Sequence, residues 1–236
     1  MKKNLNSFTV FVFILLLITT KGKAQTATYF YGEFKIRKVL NYFDSLSTTT
    51  NYIALSNLYA DSVPASKSYT AINVGQVIYN TKGLGYTSQI KTYMDTVIRK
   101  TNTGINWALV GGNGNTSFTT TLVDSFPSYN FKTSLPAQLD KLQNFCIVLN
   151  NCKYTDEVEV TFFDGQYRFS VPYYRKVNYT TNLTQIIIPK CDLSTLTGSG
   201  VHVTISLIKN EYKKFNGKRY KFEKRFDYVR PMPMIN

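Results

Sequence analysis

Residues 201–228 constrain the fold most, because two runs and the turn between them fit only one pairing. Val201, Val203, Ile205 and Leu207 alternate with His202, Thr204 and Ser206, which is strand periodicity. Asn216-Gly217 is a type I′ hairpin signal. If that turn sets the register, Leu207 faces Phe226 and Ile205 faces Tyr228, while Ser206 meets Asp227 and Ile208 meets Arg225 on the other face. A slip of one residue would put apolar side chains against charged ones. One pair disagrees: Lys209 falls opposite Lys224, and like charges repel. A bulge, or a tip projecting past the core, would relieve it.

The same logic extends along the chain. Aromatic residues make up 15% of it, 18 Tyr and 16 Phe against one Trp, an excess that favours strands. Strand-like runs cover Tyr52–Tyr59, Tyr69–Tyr79, Ile90–Arg99, Ile105–Val110, Ser117–Val123, Phe145–Leu149 and Ile186–Ile188. Asn80-Thr81-Lys82-Gly83 and Gly111-Gly112-Asn113-Gly114-Asn115 read as turns between them. Val158, Val160 and Phe162 alternate with Glu157, Glu159 and Thr161, and Asp164-Gly165 reads as a hairpin turn into Gln166–Val171. Ile36, Val39, Leu40 and Phe43 fall at helical spacing, which predicts one short helix over residues 33–46, although Phe34 and Ile36 also suit a strand. The absence of βαβ alternation predicts an all-β fold of two tandem Ig-like antiparallel β-sandwich domains, with a single larger sandwich as the alternative. Two prolines, Pro127 and Pro136, place the division near residue 125, giving a β-rich domain over 25–124 and a β-sandwich over 125–236.

The N-terminus reads as an address. Lys2 and Lys3 precede the apolar run Phe8–Thr20, and Gly22-Lys23-Ala24 supplies small residues for cleavage after Ala24. As a helix the run is about 20 Å long, short of a bilayer core of about 30 Å. Residues 1–24 are therefore expected to be a cleaved signal peptide. The mature chain is expected to be secreted or periplasmic, or held at the cell surface, with no transmembrane segment. Cleavage removes four lysines and no acid, leaving 24 basic against 14 acidic groups, net +10. Export also permits disulfides. A local bridge between Cys146 and Cys152 is open by spacing, as are pairings of either with Cys191, and three buried thiols are equally consistent.

Catalytic devices find little support. The chain has one histidine, His202, whose strand position turns it away from Val201 and Val203 toward solvent. Ser88–Lys91 and Ser206–Lys209 have Ser-x-x-Lys spacing, but that device works on a helix, where residues three apart share a face. Gly83-Leu84-Gly85 lacks the third glycine of a dinucleotide loop, and no Gly-Lys-Ser/Thr follows either glycine-rich stretch. Glu157 and Glu159 share a strand face at about 7 Å, a separation that glycosidase carboxylates also span, yet a solvated face explains them more simply. No cofactor or metal is expected. Asn115, Asn178 and Asn182 match the N-glycosylation pattern, which counts only in a eukaryotic secretory route.

The hairpin carries the strongest candidate for binding. Residues 209–230 hold nine basic and three acidic groups with rings interleaved. Lys213, Lys214, Lys218 and Arg219, with Tyr212 and Tyr220, predict a surface for polyanions or sugars. For an exported chain the partner is expected to be an anionic glycan or a protein of the envelope, and not nucleic acid. These features point to a non-enzymatic binding or assembly role at the cell envelope. A carboxylate-dependent glycan hydrolase and a subunit of an envelope complex are the rivals.

Overall fold

A computed structural model of the chain describes residues 29–42, 48–64, 71–97, 104–131, 134–166 and 171–235. The expected signal peptide lies outside these residues. The fold is nearly all β.

One large sheet organises it. Its strands are β1 (Tyr29–Tyr42), β2 (Thr48–Pro64), β5 (Gly85–Thr87), β6 (Thr92–Val97), β9 (Leu139–Asp140), β11 (Glu157–Phe163), β12 (Tyr173–Asn178), β14 (Gly200–Phe215) and β15 (Lys218–Ile235). Across the sheet the order is β12-β11-β14-β15-β1-β2-β6-β5, and β9 pairs with the end of β15. Two smaller sheets accompany it. One joins β3 (Gln76–Tyr79), β4 (Lys82–Gly83), β7 (Ile105–Val110) and β8 (Phe118–Leu122); the other pairs β10 (Phe145–Val148) with β13 (Gln185–Ile188). A four-residue helix, α1 (Lys190–Leu193), follows β13 and buries Leu193.

The β14–β15 hairpin adopts the predicted register, with Ile205 opposite Tyr228 and Leu207 opposite Phe226. Asn216 and Gly217 have φ of 48° and 78°, the positive pair that a type I′ turn requires. Pairing runs without a break from Gly200–Pro233 to Phe215–Lys218, so no bulge separates Lys209 from Lys224. Each lysine finds its own carboxylate instead: Lys209 lies 2.7 Å from Asp156 and Lys224 lies 2.7 Å from Glu211.

Over its described part, residues 33–42, the expected helix is not formed, because residues 29–42 are β1; residues 43–46 lie outside the described residues. Phe30, Gly32, Phe34 and Ile36 are buried in alternation, and partners on both sides complete the backbone hydrogen bonds. That tertiary pairing overrides a helical spacing carried by only four residues. β1 also departs from a purely antiparallel plan. It runs parallel to β15, Phe34 beside Phe222 and Leu40 beside Tyr228. The strand expected over Gln166–Val171 lies mostly outside the described residues; the described partner of β11 on this side is β12, where Phe162 pairs with Tyr173. Asp164 is buried and accepts bonds from the Thr197 N–H at 2.8 Å and hydroxyl at 3.0 Å, which ties the end of β11 to the segment after α1.

The register places even residues of β1 and β15 and odd residues of β14 on one face, which both small sheets cover. Toward the hairpin tip, Phe34, Ile36, Tyr220 and Phe222 pack with Val77, Trp107 and Leu109. Toward the other end, Val203, Ile205, Leu207, Phe226 and Tyr228 pack with Ile147, Ile186 and Ile188. Strands from both sides of residue 125 thus share one sheet that carries two cores. Lys224, 2% exposed, sits on the same face between Phe222 and Phe226. Its ammonium donates to the Val123 carbonyl at 3.1 Å, where β8 leaves the first core.

Candidate functional site

Strand alternation divides the expected basic surface in two. On the covered face lie Lys213, Lys218 and Tyr220. Tyr220 is fully buried, and its hydroxyl donates to Asn115 Oδ1 at 3.0 Å. Lys213 donates to the Thr120 hydroxyl and the Thr121 carbonyl, both at 2.8 Å. Lys218 donates to the Gly114 carbonyl and lies 4.7 Å from the Tyr31 ring centre. These three fasten the tip to the first core. Asn115, one of the three sequon asparagines, is consumed in the same contact and is buried.

On the opposite face lie Tyr212, Lys214 and Arg219, with Lys214 directly opposite Arg219. Arg219 stacks over the Tyr212 ring at 4.3 Å, a cation–π contact. Tyr212 is 38% exposed and Lys214 is exposed. Among the described residues neither cation has a carboxylate within ion-pair distance.

The rest of this face is a network of ion pairs across five strands. Glu33, Lys35 and Arg37 of β1 meet Lys221, Glu223 and Asp227 of β15: Lys221 is 3.3 Å from Glu33 and 3.1 Å from Glu223, and Arg37 is 2.6 Å from Asp227. Arg225 bonds Asp227 at 2.6 Å, the Ser206 hydroxyl at 2.8 Å and Glu159 of β11. Glu159 also accepts from the Tyr174 hydroxyl of β12 at 3.2 Å. Glu157 is held by Lys176 at 2.8 Å and by the Asn210 amide at 2.9 Å. Asp227 is fully buried and Glu223 is 3% exposed. Burial pushes the Glu223 carboxyl up, but Lys35, Lys221 and Arg225 outweigh it and hold the group below the usual range. Burial likewise opposes the charge on Lys221, and Glu223 and Glu33 reverse that and raise it.

Glu157 and Glu159 are each fixed by a cation and a neutral donor. His202 is exposed, as its alternation predicts, and lines a cavity of about 490 Å³ with Asp164, Pro231 and Met232. Asp164 there is engaged by Thr197. The cysteines are all thiols: Cys152 is buried, Cys191 exposed, and Cys146 bonds Gln185 at 3.3 Å without bridging to Cys152. Among the described residues no group of three or more His, Cys, Asp or Glu could hold a metal ion, and no helix is long and apolar enough to cross a membrane.

Glu33, Lys35 and Arg37 belong to this face although they stand apart in the sequence. Their alternation with Phe34 and Ile36 was the available sign, masked by the helical spacing of the residues that follow. Set beside known protein families, curated proteins and solved structures, the chain gives no match.

Proposed function

We propose that the chain is exported by a leader ending at Ala24 and serves, without catalysis, as a binding or assembly protein at the cell envelope or surface. Its two fused β-sandwich cores would act as scaffold. Its ligand would be a polyanion or an anionic glycan, met by Tyr212, Lys214 and Arg219. One observation carries this reading. The carboxylates and cations along β1, β11 and β15 satisfy one another, whereas Lys214 and Arg219 stand side by side on the same face with an exposed ring and, among the described residues, no acid within ion-pair distance.

Retention on a heparin column tests it. Lys214→Glu with Arg219→Glu should lower the salt needed for elution. Lys213→Glu and Lys218→Glu should instead lower the melting temperature, because those side chains fasten the tip. Unchanged elution of the Lys214/Arg219 double variant would end the proposal.

A second reading, docking in an envelope complex, is favoured by β12. Among the described residues that strand pairs with β11 alone and exposes Tyr174 at 55%. An unpaired edge can accept a strand from a partner. Co-purification from native envelope that is lost when proline replaces Val177 would support it.

A further inference from the structure

A second concave surface, outside the charged face, has a different chemistry. Ser128, Tyr129, Asn130, Asn150, Asn151 and Lys153 line an open groove of about 570 Å³. Its side chains are a hydroxyl, a phenol, three amides and one ammonium, with no carboxylate. We propose that this groove binds a neutral saccharide, with the amides bridging sugar hydroxyls and the tyrosine ring lying against a sugar face.

The groove is built before any ligand arrives. Ser128 and Lys153 exchange two backbone hydrogen bonds, at 3.2 Å and 3.1 Å, which lock its walls together. The Cys152 N–H donates to the Leu149 carbonyl at 3.4 Å and closes a turn over Asn150-Asn151. Asn151 has φ of 63°, which a turn of this kind tolerates in glycine or asparagine. The Tyr129 ring rests edge-on against the buried Phe131, centroids 4.6 Å apart, which helps to fix its orientation. Asn150 and Asn151 are both exposed, and their amides make no hydrogen bond among the described residues. An amide offers two donors and an acceptor, the pattern that adjacent sugar hydroxyls complement. Asparagine, serine and tyrosine also supply adaptable polar contacts with a rigid ring where proteins recognise polar ligands.

The backbone beside the groove is strained. Tyr154 follows Lys153 with φ of 52° and is 61% exposed. Bulky residues avoid this left-handed conformation, and such outliers cluster at ligand sites. Among the described residues Tyr154 makes no hydrogen bond or ring contact, and Thr155 closes the local bend by donating to the Lys153 carbonyl at 3.0 Å. Its exposed ring, that of Tyr154, next in sequence to the lining Lys153, would flank a bound sugar.

The test is electrophoresis of the native protein through gels containing dextran, laminarin, xyloglucan, galactomannan or yeast mannan, with the dissociation constant read from mobility against polysaccharide concentration. At least one should retard the protein. Asn150→Ala and Asn151→Gly should each weaken that retardation by about tenfold, the worth of one or two lost hydrogen bonds. Asn151→Gly keeps the turn, because glycine accepts the same φ. Tyr154→Gly should weaken retardation while raising the melting temperature, which separates a ligand contact from a structural one. Retardation by none of the five, or retardation that all three variants retain, overturns the proposal. Lys214→Glu with Arg219→Glu should leave this retardation intact, so loss of the heparin reading and loss of this one are distinguishable.

Discussion

At the scale of single residues, Asp227 and Arg225 show how much charge this sheet has taken in. Asp227 is fully buried between two guanidinium groups, and Arg225 serves two carboxylates. Removing one member of a buried pair leaves the other without compensation. Arg225→Met should therefore cost about 3 kcal/mol in urea unfolding. Arg37→Met should cost less, since Arg37 is a third exposed and Asp227 keeps Arg225. The pH dependence has a definite sign. Glu223 titrates lower in the folded chain than its ordinary value of 4.5. Its contribution to stability is present above that value and is lost as pH falls through the folded one. Unfolding free energy should thus decline below about pH 4.5, and Glu223→Gln should flatten that decline. Among the thiols, burial pushes Cys152 up to about 11. Iodoacetamide at pH 8 should label Cys191 in the native protein and reach Cys152 only after unfolding, as peptide mass analysis would read.

At the scale of elements, the hairpin was legible because alternation and turn chemistry agree over a short stretch of chain. The pairing of Ile205 with Tyr228 follows from Asn216-Gly217 alone. Gly217 has open space where a Cβ would stand, so Gly217→Ala meets only the conformational cost of φ 78°. It should destabilise by about 1 kcal/mol, seen as a lower melting temperature. β1 was not legible. Its partner β15 lies 188 residues away at Glu33–Lys221, and local pattern cannot name so distant a neighbour. The candidate site was half legible for a related reason. Composition shows nine cations near the tip, but only the register divides Lys214 and Arg219, which face outward, from Lys213 and Lys218, which hold the tip down. Asn150 and Asn151 gave no sign of a groove, because Ser128 and Tyr129 reach them through a bridge that periodicity does not encode.

At the scale of the molecule, two cores share one sheet, and neither half of the chain owns a complete core. Tyr220 and Phe222 come from the last strand yet pack in the core formed mainly by residues before 125. The full chain should therefore unfold in one calorimetric transition. Residues 25–124 made alone, lacking both rings and the β15 partner of β1, should bind a hydrophobic dye and melt without cooperativity.

The parallel seam between β1 and β15 also sets an order of events. Translation releases β1 among the earliest described residues and β15 much later, so the first strand waits, half paired, until Lys221, 188 residues beyond Glu33, has followed. Contacts spanning so much sequence close slowly. During that wait β1 presents an unsatisfied edge carrying Phe34 and Ile36, the kind of surface on which newly made chains stick to one another. A holding factor, or arrival of the whole chain in one compartment before it folds, would keep that edge free for the later strand.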